Sequence, residues 1–372
     1  MNRRIRMGMV GGGPGSFIGP IHRIAAELDR EIELVAGAFA TDVERSVAGG
    51  ASYSIPRERS YASLDDMLAS EANRADGIEM LAIATPNHNH FASACAALSA
   101  GVAVMSDKPL TATLAEAREL AELVTQASVP FGVSYTYSGY PLVREAKALI
   151  AAGGIGTIRK IVVEYSQGWL AGVAEGKQAE WRGDPSRAGG GGCIADIGVH
   201  AFHLAEFVSG LQATHVLADL GTVVPGRLLD DDCALLLRFG QGVRGVLIAS
   251  QIAIGERNGL RLRVYGDQGG IDWRQEDPNR LWLKLANGRT ELIQAGDAAL
   301  GADAAAASRT PGGHPEGYLE AFANIYRDFA RAMRGEPAPL LPGVAAGLRG
   351  MMLIDTAVRA SRDGSGWVAL TL

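Results

Sequence analysis

Ile5 to Val10 reads as a short apolar strand, and glycines 11, 12, 13 and 15 follow it at once. Gly19 to Leu28 then places Ile21, Ile24, Ala25 and Leu28 at helical spacing. This strand, glycine loop and helix constrain the fold more than any other stretch. Glycines let a ligand lie against the backbone, and a helix N-terminus offers free N–H groups and a dipole to an anion. In a chain that alternates strands and helices, such a loop cradles a dinucleotide pyrophosphate. A strict G-x-G-x-x-G starting at Gly11 fails at Ser16, and the next glycine, Gly19, arrives three residues late. The loop therefore reads as a lengthened version, with Gly11, Gly13, Gly15, Ser16 and Phe17 as candidate cofactor contacts.

The alternation continues through the first third of the chain. Ile32 to Phe39 reads as a strand, Thr41 to Ala48 as a helix, and Ser63-Leu64-Asp65-Asp66 opens another with capping-box spacing. Strands at Ile78 to Ala84, Val102 to Met105 and Val129 to Val133 are separated by helices. One covers Asn89 to Ala100, and the other starts at the capping box Thr113-Leu114-Ala115-Glu116. The pattern predicts a parallel sheet covered on both faces, with ligand residues at the carboxyl ends of its strands. After the second strand stand Ala40-Thr41, with Arg45 a turn later, where an acid would select NAD. Arg45 either meets a 2′-phosphate or is a solvated charge, so NAD and NADP both stay open. After the third strand comes Thr85-Pro86-Asn87-His88-Asn89-His90: Pro86 stops the strand, Asn87 presents an amide, and His90 caps a helix or touches a ligand. The His-x-His pair diverges and has no second acid near it, which disfavours a metal. The next strand ends in Asp107-Lys108-Pro109. Lys108, extended before a proline, either stabilises a developing alkoxide or pairs with Asp107.

The character changes near Tyr135 to Tyr140. Leu142 to Ala151 reads as a helix and Ile158 to Tyr165 as a strand. From about residue 213, strands dominate, separated by hairpin signals such as Gly240-Gln241-Gly242 and Asn287-Gly288. This predicts an antiparallel sheet of six or more strands in a separate α+β domain, closed by helices over Glu316 to Arg334 and Val344 to Arg362. The small-residue tract Ala299 to Ser308 reads as a mobile surface loop. The expected partition is 1–136 for the dinucleotide-binding domain and 137–372 for the second.

Within that second domain, Gly189-Gly190-Gly191-Gly192-Cys193 gives way to a helical pattern carrying Asp196, His200 and His203 at i, i+4 and i+7. That spacing places a carboxylate and two imidazoles on one helix face. The layout suits a proton acceptor with a charged partner, or three ligands of a metal-dependent lyase or isomerase. It also suits a solvated face after a glycine hinge.

Charged residues make up 20% of the 372 and hydrophobic residues 47%, an ordinary globular balance. The net charge of −6 leaves no basic footprint, so nucleic acid and membrane are poor partners. Three cysteines, scattered and without C-x-x-C spacing, argue against disulfides and a thiolate zinc site. The apolar run after Arg3 and Arg4 breaks at the glycine loop, so no signal peptide is expected, and the chain reads as soluble and cytoplasmic.

Gly11-Gly12-Gly13, Ala84-Thr85-Pro86-Asn87-His88, Asp107-Lys108-Pro109 and Asp196-Ile197-Gly198-Val199-His200, in this order, resemble the Gfo/Idh/MocA family of oxidoreductases along essentially the whole chain. Gly153-x-Ile155-Gly156 and Trp181-Arg182 fit as well. Ser138-Gly139-Tyr140-Pro141 and Gly313-His314-Pro315-Glu316-Gly317-Tyr318 point to its members acting on inositols and on free or anhydro sugars. The resemblance implies an N-terminal Rossmann domain and a C-terminal domain on a large, mostly antiparallel open sheet. It implies NAD or NADP as cofactor and a small polyol as substrate. Lys108, Asp196 and His200 take the family's catalytic positions, with Asp107 where a glutamate is usual. Thr41, Arg45, Thr85, Pro86, Asn87, His90 and Asp107 join the glycine loop as cofactor contacts. Tyr137, Trp181, Arg182, His203 and His314 are candidate sugar contacts. His200, with an ordinary pKa of about 6.5, suits the base, and Lys108 is the alternative. Sheets that pair face to face imply a homo-oligomer, a dimer or tetramer. A non-catalytic dinucleotide- or sugar-sensing protein is the remaining reading.

Overall fold

The computed structural model describes residues 3–172 and 177–371. The backbone divides into two units, Met1–Tyr135 with Phe322–Leu348, and Thr136–Ala321 with Arg349–Leu372.

In the first unit, strands β1 (Ile5–Gly11), β2 (Ile32–Ala38), β3 (Met80–Ala84), β4 (Ala103–Ser106) and β5 (Phe131–Val133) form one parallel sheet. Its order is β2-β1-β3-β4-β5. Helices α1 (Ile18–Glu27), α2 (Val43–Ser52), α3 (Leu64–Ala72), α4 (His90–Ser99) and α5 (Leu114–Gln126) make the crossovers. β3 and β4 are buried along their whole length, as strands covered on both faces must be. Two helix starts were legible from spacing alone: Ser63 Oγ accepts Asp66 N, and Thr113 with Glu116 forms a complete capping box. The sheet order reverses between β1 and β3, the place where open parallel sheets bind ligands.

Phe322–Leu348 pack with this first unit, although the sequence partition gave them to the second domain. The reason is the open edge of β5. Val133 N donates to Pro342 O at 2.8 Å, and a Cβ on Gly132 would stand 3.0 Å from Phe329 Cδ2. The segment satisfies an edge N–H and buries an apolar face.

The second unit opens with α6 (Pro141–Ala151) and β6 (Ile158–Ser166). Short helices α7 (Lys177–Arg182) and α8 (Pro185–Ala188) precede α9 (Val199–Ser209). Strands β7 (Ala213–Gly221), β8 (Asp232–Phe239), β9 (Arg244–Ser250), β10 (Gly259–Gly266), β11 (Gly269–Arg274), β12 (Arg280–Leu285) and β13 (Thr290–Gln294) follow. The chain closes with α10 (Ala302–Ala307), α11 (Tyr318–Met333), α12 (Val344–Arg362) and β14 (Val368–Ala369). The sheet order is β13-β12-β11-β10-β6-β9-β8-β7-β14, with β6 and β9 parallel and the other pairs antiparallel.

One line of paired residues shows why this sheet is one-sided. Leu235, Leu247, Val163, Leu262, Trp273 and Leu281 are register partners across six strands, and all are buried. The adjoining line, from Leu236 through Val246, Val162, Arg263 and Asp272 to Trp282, mixes apolar and charged side chains on the outer face. The tract expected as a mobile loop is instead α10, with Ala304 and Ala307 buried and Gly301 N bonded to Glu145 Oε2 at 2.8 Å. Small residues give no apolar period to read, yet they suit close packing on α6. Among the described residues, no helix is long and apolar enough to cross a membrane.

Candidate active site

In the first unit, Gly11 ends β1 beside Ala84 of β3, and Gly11, Gly12 and Gly15 all have φ between 70° and 81°. A Cβ on Gly13 would stand 2.1 Å from Phe39 O, and one on Gly19 would stand 2.4 Å from Gly12 Cα. Gly19 therefore lets the first turn of α1 rest directly on the loop, which is how the lengthened spacing still closes. Nothing lies within 4 Å of a Cβ placed on Gly15, so the loop's outer side is open. Ser16 Oγ accepts Gly19 N at 3.2 Å, and Phe17 is 62% exposed. Thr41 and Arg45 are exposed beyond β2, where Asp42 caps α2 through Arg45 N.

Past β3, Thr85 and Pro86 are half-buried and Asn87 is buried. Thr85 Oγ1 meets no hydrogen-bond partner among the described residues. His90 is buried, and its ring spans two loops: Nδ1 lies 2.9 Å from Pro109 O and Nε2 lies 3.0 Å from Thr85 O. Both ring nitrogens are thus turned to backbone carbonyls. Asp107 likewise serves its own loop. Its Oδ1 accepts Lys108 N at 2.9 Å and Ser134 Oγ at 2.5 Å. The half-buried Lys108 precedes Pro109 through a cis peptide bond. Open glycine backbone, an orphaned hydroxyl and a helix N-terminus at the switch point fit a dinucleotide.

In the second unit, the helix read from Cys193 begins instead as a π-turn, Ile194–Gly198, and runs on into α9. The π-turn alters the expected i, i+4, i+7 face. Asp196 Oδ2 receives Gln251 Nε2 at 2.8 Å and lies 3.2 Å from Arg182 Nε. The Arg182 guanidinium sits over the Trp181 ring, 4.3 Å from its centroid. His200, buried on α9, meets the Tyr137 ring edge-on, with centroids 4.8 Å apart. Tyr137 and Tyr165 share a hydroxyl–hydroxyl bond, and Tyr165 OH donates to Asn258 Oδ1 at 2.7 Å. Burial, with the charge of Asp196 adding, pushes both phenols up, Tyr165 well above the ordinary range. They therefore stay protonated donors.

Two further candidates, His203 and His314, have neighbours of their own. His203 stacks on Phe207, and burial with the nearby Lys147 charge holds its pKa down, to about 3. His314 is exposed in its own turn, with Nδ1 3.2 Å from Pro311 O. Among the described residues no group of three or more His, Cys, Asp or Glu side chains is placed to hold a metal ion. Gln251, Tyr165 and Asn258 were missed from the sequence. They stand at the ends of β6, β9 and β10 and carry no motif of their own.

Residues 5–135 match the model described as an oxidoreductase family with an NAD-binding Rossmann fold, and 143–272 match the GFO/IDH/MocA C-terminal domain. An uncharacterized oxidoreductase, YfiI of Bacillus subtilis (strain 168), is 34% identical over 99% of this chain and 97% of its own length. The structure of an inositol dehydrogenase homolog from Azotobacter vinelandii complexed with NAD+ aligns at a TM-score of 0.95. It is 34% identical, with 99% of this chain and 97% of that one covered. A second structure of that homolog holds NADH and myo-inositol, at 33% identity, a TM-score of 0.91, and 99% and 98% coverage. Levoglucosan dehydrogenase of Pseudarthrobacter phenanthrenivorans (strain DSM 18606 / JCM 16027 / LMG 23796 / Sphe3) is 28% identical over 64% of this chain and 70% of its own. With a whole-length relative at this identity and both of its domains matched, the chain belongs to the Gfo/Idh/MocA family of oxidoreductases, whose first domain is an NAD-binding Rossmann fold.

Proposed function

We propose that the protein oxidises a secondary hydroxyl of an inositol or of a free or anhydro sugar. The observation that carries this reading is the Asp196–His200 turn. It presents a carboxylate held by Arg182 and Gln251 and, one turn on, an imidazole braced by Tyr137. Bound NAD supplies the hydride acceptor. His200 takes the proton of the reacting hydroxyl, a role that fits an imidazole near neutral pH. Asp196 accepts a hydrogen bond from a neighbouring hydroxyl and orients the ring. Lys108 stabilises the alkoxide as it forms. The first unit's residues would hold NAD through the glycine loop, Thr85 and Asn87. The NAD-binding description of the matched domain and the NAD-bound relative favour NAD over NADP. Inositol and levoglucosan relatives favour a neutral polyol as substrate.

The test is reduction of NAD and of NADP, followed by absorbance, against a panel of inositols, anhydro sugars and free sugars. Reduction of NAD driven by one of these polyols is the expected result. A protein that thermally stabilises with NADH yet turns over no polyol would overturn the substrate class. We also propose a homo-oligomer, supported by the apolar side chains Leu236, Ile248, Tyr265 and Trp282 on the sheet's outer face. Light scattering that returns a monomer mass would dismiss it.

A further inference from the structure

The turn bearing Asp196 and His200 begins with three consecutive N–H groups, and all three go to one residue outside the turn. Asp230 Oδ1 accepts Gly192 N at 2.6 Å, its Oδ2 accepts Ile194 N at 2.8 Å, and its carbonyl accepts Cys193 N at 2.7 Å. A helix start leaves such N–H groups unpaired, and here no side chain of the turn itself caps it. Asp230 does so from the loop before β8, and a negative charge at that end also complements the helix dipole. The contact is tight. A Cβ on Gly192 would stand 2.3 Å from Asp230 O, so only glycine admits this approach.

The next residue reaches Asp196 from the other side. Asp231 O accepts Gln251 N at 2.9 Å, and Gln251 Nε2 is the amide that donates to Asp196 Oδ2. The Asp231 carboxylate is itself fixed by Val223 N, Val224 N and Arg227. Two adjacent residues thus hold both the backbone that carries Asp196 and the side chain that aims its carboxylate.

We infer that Asp230 is a positioning residue for polyol oxidation: its carboxylate sets the orientation of the Asp196–His200 turn. Its kinetic consequence rests on the polyol-oxidising reading; its structural consequence does not. Asp230→Asn keeps the shape but turns one acceptor into an N–H₂ that faces a backbone N–H. In the NAD-loaded enzyme this substitution lowers kcat/KM for the polyol about 10- to 100-fold, as a small misplacement of catalytic groups does. The Kd for NADH, read by fluorescence, stays within about twofold, and amide exchange over residues 190–198 accelerates. In an Asp196→Asn, His200→Asn background the same change costs less than about twofold, because both groups that it positions are gone.

Equal losses in both backgrounds, or an unchanged kcat/KM, would overturn the inference by reducing Asp230 to a general stabiliser or a bystander. Should Asp230→Asn fail to fold, Asp230→Ser, which keeps one acceptor, takes its place in the same cycle. If the wild-type protein oxidises no polyol, the exchange measurement still decides. Faster exchange confined to 190–198 upholds Asp230 as the residue that holds the turn while the functional reading falls, and unchanged or globally faster exchange overturns that role itself.

Discussion

Arg182 Nε stands 3.2 Å from Asp196 Oδ2, the same oxygen that accepts Gln251 Nε2 at 2.8 Å. The Gln251 amide donates to that oxygen and the Arg182 guanidinium faces it as an ion pair, so a hydrogen bond and a charge meet at one point of the carboxylate. Arg182 is itself braced on the Trp181 ring. Arg182→Gln keeps some polarity and removes the charge. An ion pair at this separation, partly withdrawn from water, contributes on the order of 1 kcal/mol or more, so KM for the polyol rises by up to about tenfold, with NADH binding unchanged. Steady-state kinetics on the variant check this, and an unaltered KM would show that Gln251 alone suffices.

His200→Asn removes the proposed base while leaving a side chain of similar breadth against Tyr137. General-base catalysis supplies about 10²–10⁴-fold, so kcat falls by that order and the acid limb of the pH–rate profile disappears. If the profile keeps its shape, the base is another group, and Lys108 becomes the residue to substitute next.

His203 makes stability depend on pH. Burial holds its imidazole at about 3, against an ordinary value of about 6.5. As pH falls below about 6.5, the unfolded chain takes up the proton that the folded protein refuses. Stability is therefore full above that pH and drains away between about pH 6.5 and 3, by up to about 1.4 kcal/mol per unit. His22, lowered by burial in the first unit, acts in the same direction. The readout is thus the difference between wild type and His203→Leu in denaturant melts from pH 4 upwards, roughly within the window where model histidines titrate. Parallel pH curves for the two proteins would contradict the assignment.

Two glycines of the first loop separate by their surroundings. A Cβ on Gly13 drives into Phe39 O, whereas one on Gly15 meets nothing within 4 Å. Gly13→Ala costs about 1–3 kcal/mol through displaced backbone. Gly15→Ala costs only the roughly 1–2 kcal/mol of a left-handed alanine. Thermal melts should rank Gly13→Ala below Gly15→Ala, and the reverse order would disprove the packing argument.

His90 ties the loop after β3 to the loop after β4 through Thr85 O and Pro109 O. His90→Leu removes the ring N–H that donates to one of these carbonyls, at about 1–3 kcal/mol, and the packing of the ring against the other. It raises KM for NAD as the two loops lose register. His90→Gln, which can still reach Thr85 O, recovers part of the loss. A variant with a lowered melting temperature and normal KM for NAD would confine His90 to stability.

The parallel sheet was legible because periodicity and caps are local properties of a chain. Ile5 to Val133 could be divided into strands and helices without knowing what packs on what, and the Ser63 and Thr113 caps stand where the spacing placed them. Asp196 and His200 stood out as candidates for a similar reason, as near neighbours along one helical stretch. Ala302–Ala307 was not, since alanines carry no apolar period, nor was the π-turn, which has no residue signature of its own.

By itself, the sequence determined the order of the elements, the glycine loop at the first β/α crossing and the chemical types available for proton transfer. Tertiary structure decided which of those groups meet. Gln251, Asp230, Tyr165 and Asn258 lie far apart in sequence from Asp196 and His200, and pairing of β6 with β9 and β10 and of β8 with β9 carries their strand ends together. It also turned His90 to two backbone carbonyls and His203 to Phe207. The physical reason is that a side chain's type and helical face follow from its near neighbours, whereas its hydrogen-bond partners and its burial follow from strands that the chain brings back from far along the sequence.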